Sequence, residues 1–548
     1  MFWRLPVHKF LTVILLVLLA ATLLARDLTV RSSSSRFDFE EISGGSISLP
    51  IDTTGHFLPG LELVRGDIWV TAATQDPLFR KLSGDRIEPS LVERWEWRDG
   101  NKELHIKLRD EIHWFDGTPI TTNDLEYSLA VWKVSEDSQL YGILNDLSYA
   151  EMKTLDDKSA VFYFNRPFPE FTGYLRTGLL ARHIYEGKLG LKPEEVAVSQ
   201  YSGKPPLEAT SGPFYLAEGS EKGKIILKRN PQWHGGKGSE HYPLYFAEWP
   251  EHALLDEIRL IEEADQEERI EMFLKGELSM LFNEEGATTE LINDAKNGNY
   301  RYQFTPDGSY YALILNHRND FLSKSSLRKA LRMALDVEKL SGTIGIGSTA
   351  ALLPIDVRTA FLQELLSQIG EFPYDPGRAK ELIVSAGYGK GYTLTIKVHQ
   401  GVDKKFTDML VKMWKEIGVD LKVERLDWGS LLGDVYSADY ELAFFRVEAF
   451  DYPEITPWTV ENADDLKTGW EVGYVNPQLF RIERKAATEG LWKDRIPYYL
   501  GAMKLWLEDM PIVVVSYSQK ITFWRQELNG PVPGSGELFD NLAEWFVH

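Results

Sequence analysis

The sequence predicts an α/β protein made of several domains. Three observations support this. A length of 548 residues is enough for two to four cores. A hydrophobic fraction of 43% against 26% charged residues is that of an ordinary globular chain, not of a disordered, fibrous or polytopic membrane protein. Strand-like and helix-like stretches also alternate from Ser46 onward, an order that a sandwich or a helical bundle would not show.

Ahead of Ser46 the chain reads as an export segment and a tether. Arg4, His8 and Lys9 precede an unbroken apolar run from Phe10 to Ala25, the pattern of a secretory signal. The run falls between the usual signal core and the roughly 20 residues that span a bilayer. Ala21 and Ala25 could close a cleavage site, but Leu19 and Leu23 then stand where a small residue is preferred. Residues 1–25 therefore read as a signal peptide or as an uncleaved anchor through residues 10–25, and the body is exported in both cases. Residues 26–45, with RSSSSR and FDFEE, read as a polar tether.

The elements then follow in order. LHIKL (Leu104–Leu108) alternates apolar and polar residues as a half-buried strand does. Asp116–Lys133 turns at Gly117 and Pro119 and enters a helix, with Thr122 or Asn123 as cap and Leu125, Leu129 and Trp132 at helical spacing. Lys224–Pro231 is a strand stopped by Asn-Pro. Ser325–Leu340 is an amphipathic helix with a Ser cap. Tyr392–Val398, a helix around Asp408–Ile417 and Val419–Leu426 form a strand–helix–strand unit. Ile512–Tyr517 is a buried strand.

Composition narrows the function. Sixty Lys and Arg stand against 82 Asp and Glu, a net charge of −22, which repels phosphate backbones and excludes nucleic acid as the expected partner. Cysteine is absent, so there is no disulfide, thiolate nucleophile, Cys-bound metal or lipidated cysteine. The aromatic fraction of 12% exceeds what packing alone usually requires and suits a ligand cleft. Catalytic apparatus is not visible: there is no HExxH, Walker loop or GxSxG elbow. Gly345–Ala350 lacks the third glycine and the preceding strand of a dinucleotide loop. The pairs Glu262/Glu263, Glu267/Glu268 and Glu284/Glu285 read as solvated faces, and His105 and His113 lack an acidic or His partner at ligand spacing. No cofactor, metal or enzymatic activity is expected.

Six stretches in consistent order then carry a resemblance. They are Pro89–Leu129 with its Phe-Asp-Gly-Thr-Pro, Ser211–Gly236 with Arg-Asn-Pro, Leu255–Phe282 with Gly276-Glu277, Leu315–Leu340 with Arg-Lys-Ala-Leu, Tyr374–Tyr388, and Ile417–Leu432 leading to Ala443–Glu454. Together the sequence resembles the family 5 extracellular solute-binding proteins of ABC importers, the dipeptide-, oligopeptide- and nickel-binding group. That resemblance implies a two-lobed type II periplasmic binding protein fold with an additional small domain. Lobe I would comprise 46–75, 200–300 and 510–548, the small domain 76–199, and lobe II 301–509. It further implies a monomer that encloses a peptide or similar small solute between the lobes and docks on ABC permease subunits.

The resemblance also nominates site residues. Asp451 stands where peptide-binding members place the carboxylate that pairs with the ligand's α-ammonium. A cation moved into a closed cleft needs such a counter-charge. Val447 and Glu448 depart from the family's usual Gly-Trp. Glu448 would favour a more cationic ligand, pair with Arg446, or face solvent. Tyr452, Trp458 and Trp428 are readable as aromatic walls or as core, and Asp451 as a loop residue capping its own turn. An alternative function on the same fold is a membrane-tethered sensory or chaperone-like protein without transport.

Overall fold

A computed structural model describes residues 39–548 except 54–56, 63, 82–86, 199–204, 221–222, 236–245, 247–249, 283–288, 346, 356–361, 371, 449–471, 490–491, 534–538 and 540. The apolar run 10–25 lies outside the described residues. Among the described residues no helix is long and apolar enough to cross a membrane.

The chain opens with β1 (Ser46–Ile51) and soon leaves it for an antiparallel sheet. That sheet is formed by β2 (Val92–Arg98), β3 (Glu103–Leu108), β4 (Tyr149–Thr154) and β5 (Ser159–Phe164), in the order β2-β3-β5-β4. Its strands keep one face wet: along β3 buried and half-buried residues alternate, as LHIKL predicts. The other face packs on α1 (Thr122–Val134), burying Leu125, Leu129 and Trp132 with Phe162, Phe164 and Phe171. Two expectations are corrected here. The helix is capped by Thr121 rather than Thr122 or Asn123, because Thr121 and Asp124 form a reciprocal capping box. His105 does have a carboxylate partner: its Nε2 is 2.9 Å from Glu103, two residues back on the same face of β3.

The chain then returns to β1. Strands β6 (Phe214–Leu216), β7 (Lys224–Arg229) and β8 (Glu257–Glu262) complete a sheet in the order β1-β8-β7-β6, with β1 parallel to β8. Two buried carboxylates lie where this part meets the antiparallel sheet's core, and they have opposite fates. Asp76 is bonded by Trp233 Nε1 at 2.8 Å and lies 3.0 Å from both His234 Nε2 and Arg80. Burial pushes its carboxyl up, but His234, Arg80 and Trp233 outweigh this and hold it at about 2. Glu62 is buried with the Thr177 hydroxyl at 3.2 Å, and burial dominates, raising it to about 7.

The rest of the chain forms a seven-stranded sheet. Its strands are β9 (Met280–Leu281), β10 (Tyr300–Leu315), β11 (Thr349–Ala350), β12 (Tyr392–His399), β13 (Val419–Leu426), β14 (Leu442–Glu448) and β15 (Ile512–Arg525). The order is β9-β15-β10-β14-β12-β13, with β11 on β15. The strand expected at Ile512–Tyr517 runs on to Arg525. It pairs with β10 along two different cores: Tyr300, Tyr302 and Phe304 pack with Phe273, Ile521 and Phe523, whereas Ala312 and Ile314 pack with Ile512 and Val514. β10 begins at Tyr300 and β15 at Ile512, each within two residues of a division placed at 300/301 or 509/510.

The helix expected over Ser325–Leu340 is two helices. α2 (Ser325–Met333) starts after Lys324 without a side-chain cap, and a second turn, Val337–Ser341, is capped by Asp336. Further on come α3 (Lys404–Glu416), α4 (Trp428–Tyr436), α5 (Pro477–Thr488) and α6 (Trp492–Asp509). A buried ion pair, Arg495 of α6 to Glu170 at 2.7 Å, joins this part to the antiparallel-sheet unit.

Candidate ligand-binding site

The parallel part of the seven-stranded sheet is doubly wound. β12 leads through α3 to β13 on one side, and β13 leads through α4 back across β12 to β14 on the other. β12 is parallel to both neighbours. α3 buries Phe406, Leu410 and Trp414 with Leu394, Ile396 and Val398 on one face, and α4 buries Leu431 and Val435 with Phe445 and Val447 on the opposite face. Where successive crossovers leave a parallel sheet in opposite directions, the loops at the strands' carboxyl ends part and leave a crevice. Here that point lies between β12 and β14. Its rim is formed by His399 ending β12, Asp427-Trp428 following β13, and Glu448 ending β14.

Local interactions fix Trp428 at this rim. Asp427 caps α4, accepting from the Ser430 amide at 3.0 Å and its hydroxyl at 2.6 Å. Lys397 of β12 donates to Asp434 at 2.8 Å and ties α4 to the sheet. The indole meets His399 and Phe445 edge-on, with centroids 5.9 and 6.1 Å away and both rings at 86° to it. It remains 46% exposed, so of the two readings open for Trp428 the core is excluded.

The other nominated residues fare differently. Asp451, Tyr452 and Trp458 lie outside the described residues. Of Glu448 the backbone is described, paired with Ser309 of β10. Arg446, one of the partners considered for Glu448, forms an ion pair with Asp307 at 2.6 Å.

Asp307, the partner of Arg446, is not singled out by the sequence. It occupies a bulge in β10, where Pro306 pairs with Gln519 and Tyr310 with Tyr517. Gly308 supplies a φ of 83° there, which a side chain would strain. The carboxylate also accepts from the Ser309 amide at 2.8 Å and the Ser518 hydroxyl at 3.0 Å. Burial pushes its proton affinity up, but the Ser309 amide, Arg446 and Lys520 together hold it below the ordinary range. The dipeptide Asp-Gly after Pro reads as a turn, which hides a strand that continues through it.

Most of the motif residues prove structural. Arg229 donates to the carbonyls of Leu254 and Leu255, and Asn230 to that of Gly212. Arg328 closes the end of α6 through the Asp509 and Met510 carbonyls. Asp116 accepts from Thr118 in its turn, and Asp375 caps the helix Pro376–Ile383.

Comparison with known proteins agrees with this architecture. The family model described as bacterial extracellular solute-binding proteins, family 5 Middle, matches residues 86–458. The oligopeptide-binding protein OppA of Bacillus subtilis is 22% identical over 520 residues, covering 86% of this chain and 87% of its own. Among solved structures, the periplasmic binding protein DppA of Helicobacter pylori in complex with the peptide STSA superposes with a TM-score of 0.63 at 20% identity, over 93% of this chain and 99% of that one. AppA of Bacillus subtilis in complex with a nonapeptide gives 0.62 at 17% identity, over 92% and 99%. These likenesses show the fold, that of the two-lobed periplasmic binding proteins.

Proposed function

The chain belongs to the bacterial extracellular solute-binding proteins, family 5, and on that premise we propose that it captures a peptide between its lobes and delivers it to the permease of an ABC importer. The observation that carries this reading is the winding reversal between β12 and β14, where open α/β sheets take ligands, with the partly exposed Trp428 beside it. The named relatives, OppA, DppA and AppA, are peptide binders by description. Nothing in the fold or in these relatives favours the sensory or chaperone-like alternative.

Several finer assignments belong to the same reading. The small domain is residues 76–199, the lobes divide as the sequence suggests, and the protein acts as a monomer held outside the cytoplasmic membrane by residues 10–25 or released from them. Tyr452 and Trp458 join Trp428 as walls, Glu448 adds a second acid, and Asp451 pairs with the peptide's α-ammonium. Binding draws the lobes together because the ligand touches both only in the shut form.

The test is a thermal-shift screen of peptides from two to ten residues. A peptide at 100 times its dissociation constant should add about 2.7 kcal/mol of stability. Absence of any hit at millimolar peptide would overturn the reading. Asp451→Ala should weaken a free-amine peptide far more than its N-acetylated form, and equal losses would remove the ammonium role.

A further inference from the structure

His399 is held in one orientation by the turn that follows its strand. It is the last residue of β12, at the winding reversal, and its ring stands edge-on to Trp428. Its Nδ1 accepts the Gly401 amide at 3.2 Å. A backbone N–H can only donate, so in the neutral ring the proton sits on Nε2. The turn that follows β12 thereby fixes the tautomer, with Nε2 carrying the donor hydrogen on a half-buried ring beside the partly exposed Trp428.

Resting on the peptide-binding reading, we infer that His399 and Trp428 form one ligand subsite. Nε2–H of His399 donates to a backbone carbonyl oxygen of the bound peptide, and the Trp428 indole covers an apolar side chain of the residue seated there. The pairing suits that chemistry. A peptide carbonyl taken out of water loses free energy unless it finds a donor, while a broad aromatic face accepts many side chains without demanding one. Such a subsite would hold a peptide by its main chain while tolerating variation in the side chain above it.

The experiment uses the full exported chain and a synthetic pool of peptides of two to ten residues, with retained peptides identified by mass spectrometry and then titrated singly. His399→Ala should weaken the retained peptide about tenfold, and His399→Gln, which keeps an N–H donor, should restore most of that loss. Trp428→Ala should weaken peptides with an apolar residue at the affected position by about tenfold, and Trp428→Phe by much less. Because either truncation could disturb packing, imidazole ¹⁵N spectra of the wild-type protein supply a second readout. They should show His399 as the Nε2–H tautomer, with its resonances moving as peptide is added. Wild-type protein that retains peptide while both alanine variants bind it as tightly would overturn the subsite and leave the peptide-binding reading standing. An unmoved His399 signal at saturation, or equal losses in the Ala and Gln variants, would remove the donor role. Wild-type protein that retains nothing from the pool would overturn the functional reading and the subsite with it.

Discussion

The antiparallel sheet β2–β5 and the parallel strands β12–β14 use the same kinds of residue for different ends. Around β5 the aromatics close on one another: Phe171 lies 5.1 Å from Phe162 and 4.9 Å from Phe164, and all three are buried. At the carboxyl edge of the parallel strands, Trp428 is steadied by two rings yet stays about half exposed. An aromatic excess in the composition therefore does not by itself indicate a ligand surface. What separates the two regions is topology. An antiparallel sheet packed on one face has no parallel crossovers to part, whereas doubly wound strands open a crevice where their connections part.

The sharpest test of that contrast removes one aromatic from each region. Phe171→Ala should cost about 3–5 kcal/mol in urea unfolding, because it leaves a cavity in a closed core. The surviving folded protein should bind peptide as before. A loss under 1 kcal/mol would mean that the small core collapses around the gap and is looser than its packing suggests.

Next in size is the contact between the two regions. Arg495 and Glu170 are 4% and 13% exposed, so Arg495→Leu leaves a carboxylate buried without its cation. The expected loss is about 3 kcal/mol. A charge-reversed pair, Glu170→Arg with Arg495→Glu, should recover part of it, and no recovery would point to size rather than charge.

A smaller effect depends on pH. The Glu62 carboxyl is raised from an ordinary 4.5 to about 7, so the folded state holds its proton more tightly than the unfolded state does. Stability from this group is complete below pH 4.5 and is lost as pH rises through about 7. Glu62→Gln should thus flatten the fall in unfolding free energy between pH 5 and pH 8, by roughly 2–3 kcal/mol. Asp76 works in the opposite sense, stabilising above its ordinary range and failing only toward pH 2. An unchanged pH profile in the Gln variant would assign the fall to other groups.

The least change in stability is expected at the crevice itself. Trp428→Ala should alter unfolding by about 0.5 kcal/mol or less, since the ring is half exposed. A large loss would make Trp428 a packing residue and erase the contrast with Phe171.

Much of this architecture could be read from local pattern. Val419–Leu426 is bounded by Gly418 and alternates cleanly, and its edges are as expected. Errors arose where one signal masked another. Gln519-Lys520 in the middle of β15 looks like an end, yet the strand continues because those positions pair across to β10. Ala334 and Leu335 keep a helical spacing, but Asp336 caps the next turn and breaks the run. The candidate site was less legible. Trp428 could be named from resemblance, but His399 is a single His at a strand end, and its neighbour is 29 positions away in sequence. Only the order β14-β12-β13, set by pairing between distant segments, brings them to the same edge.

The pair β10 and β15 has a mechanical consequence. Two hydrogen-bonded strands make a ribbon that resists stretching but yields readily to torsion, and here the ribbon is notched at Asp307-Gly308 by extra residues on one side. Rotation concentrated at such a notch would leave the packing at either end intact. The buried carboxylate at its centre, held by Arg446 of β14 and Ser518 of β15, ties the notched strand to the neighbour on each side.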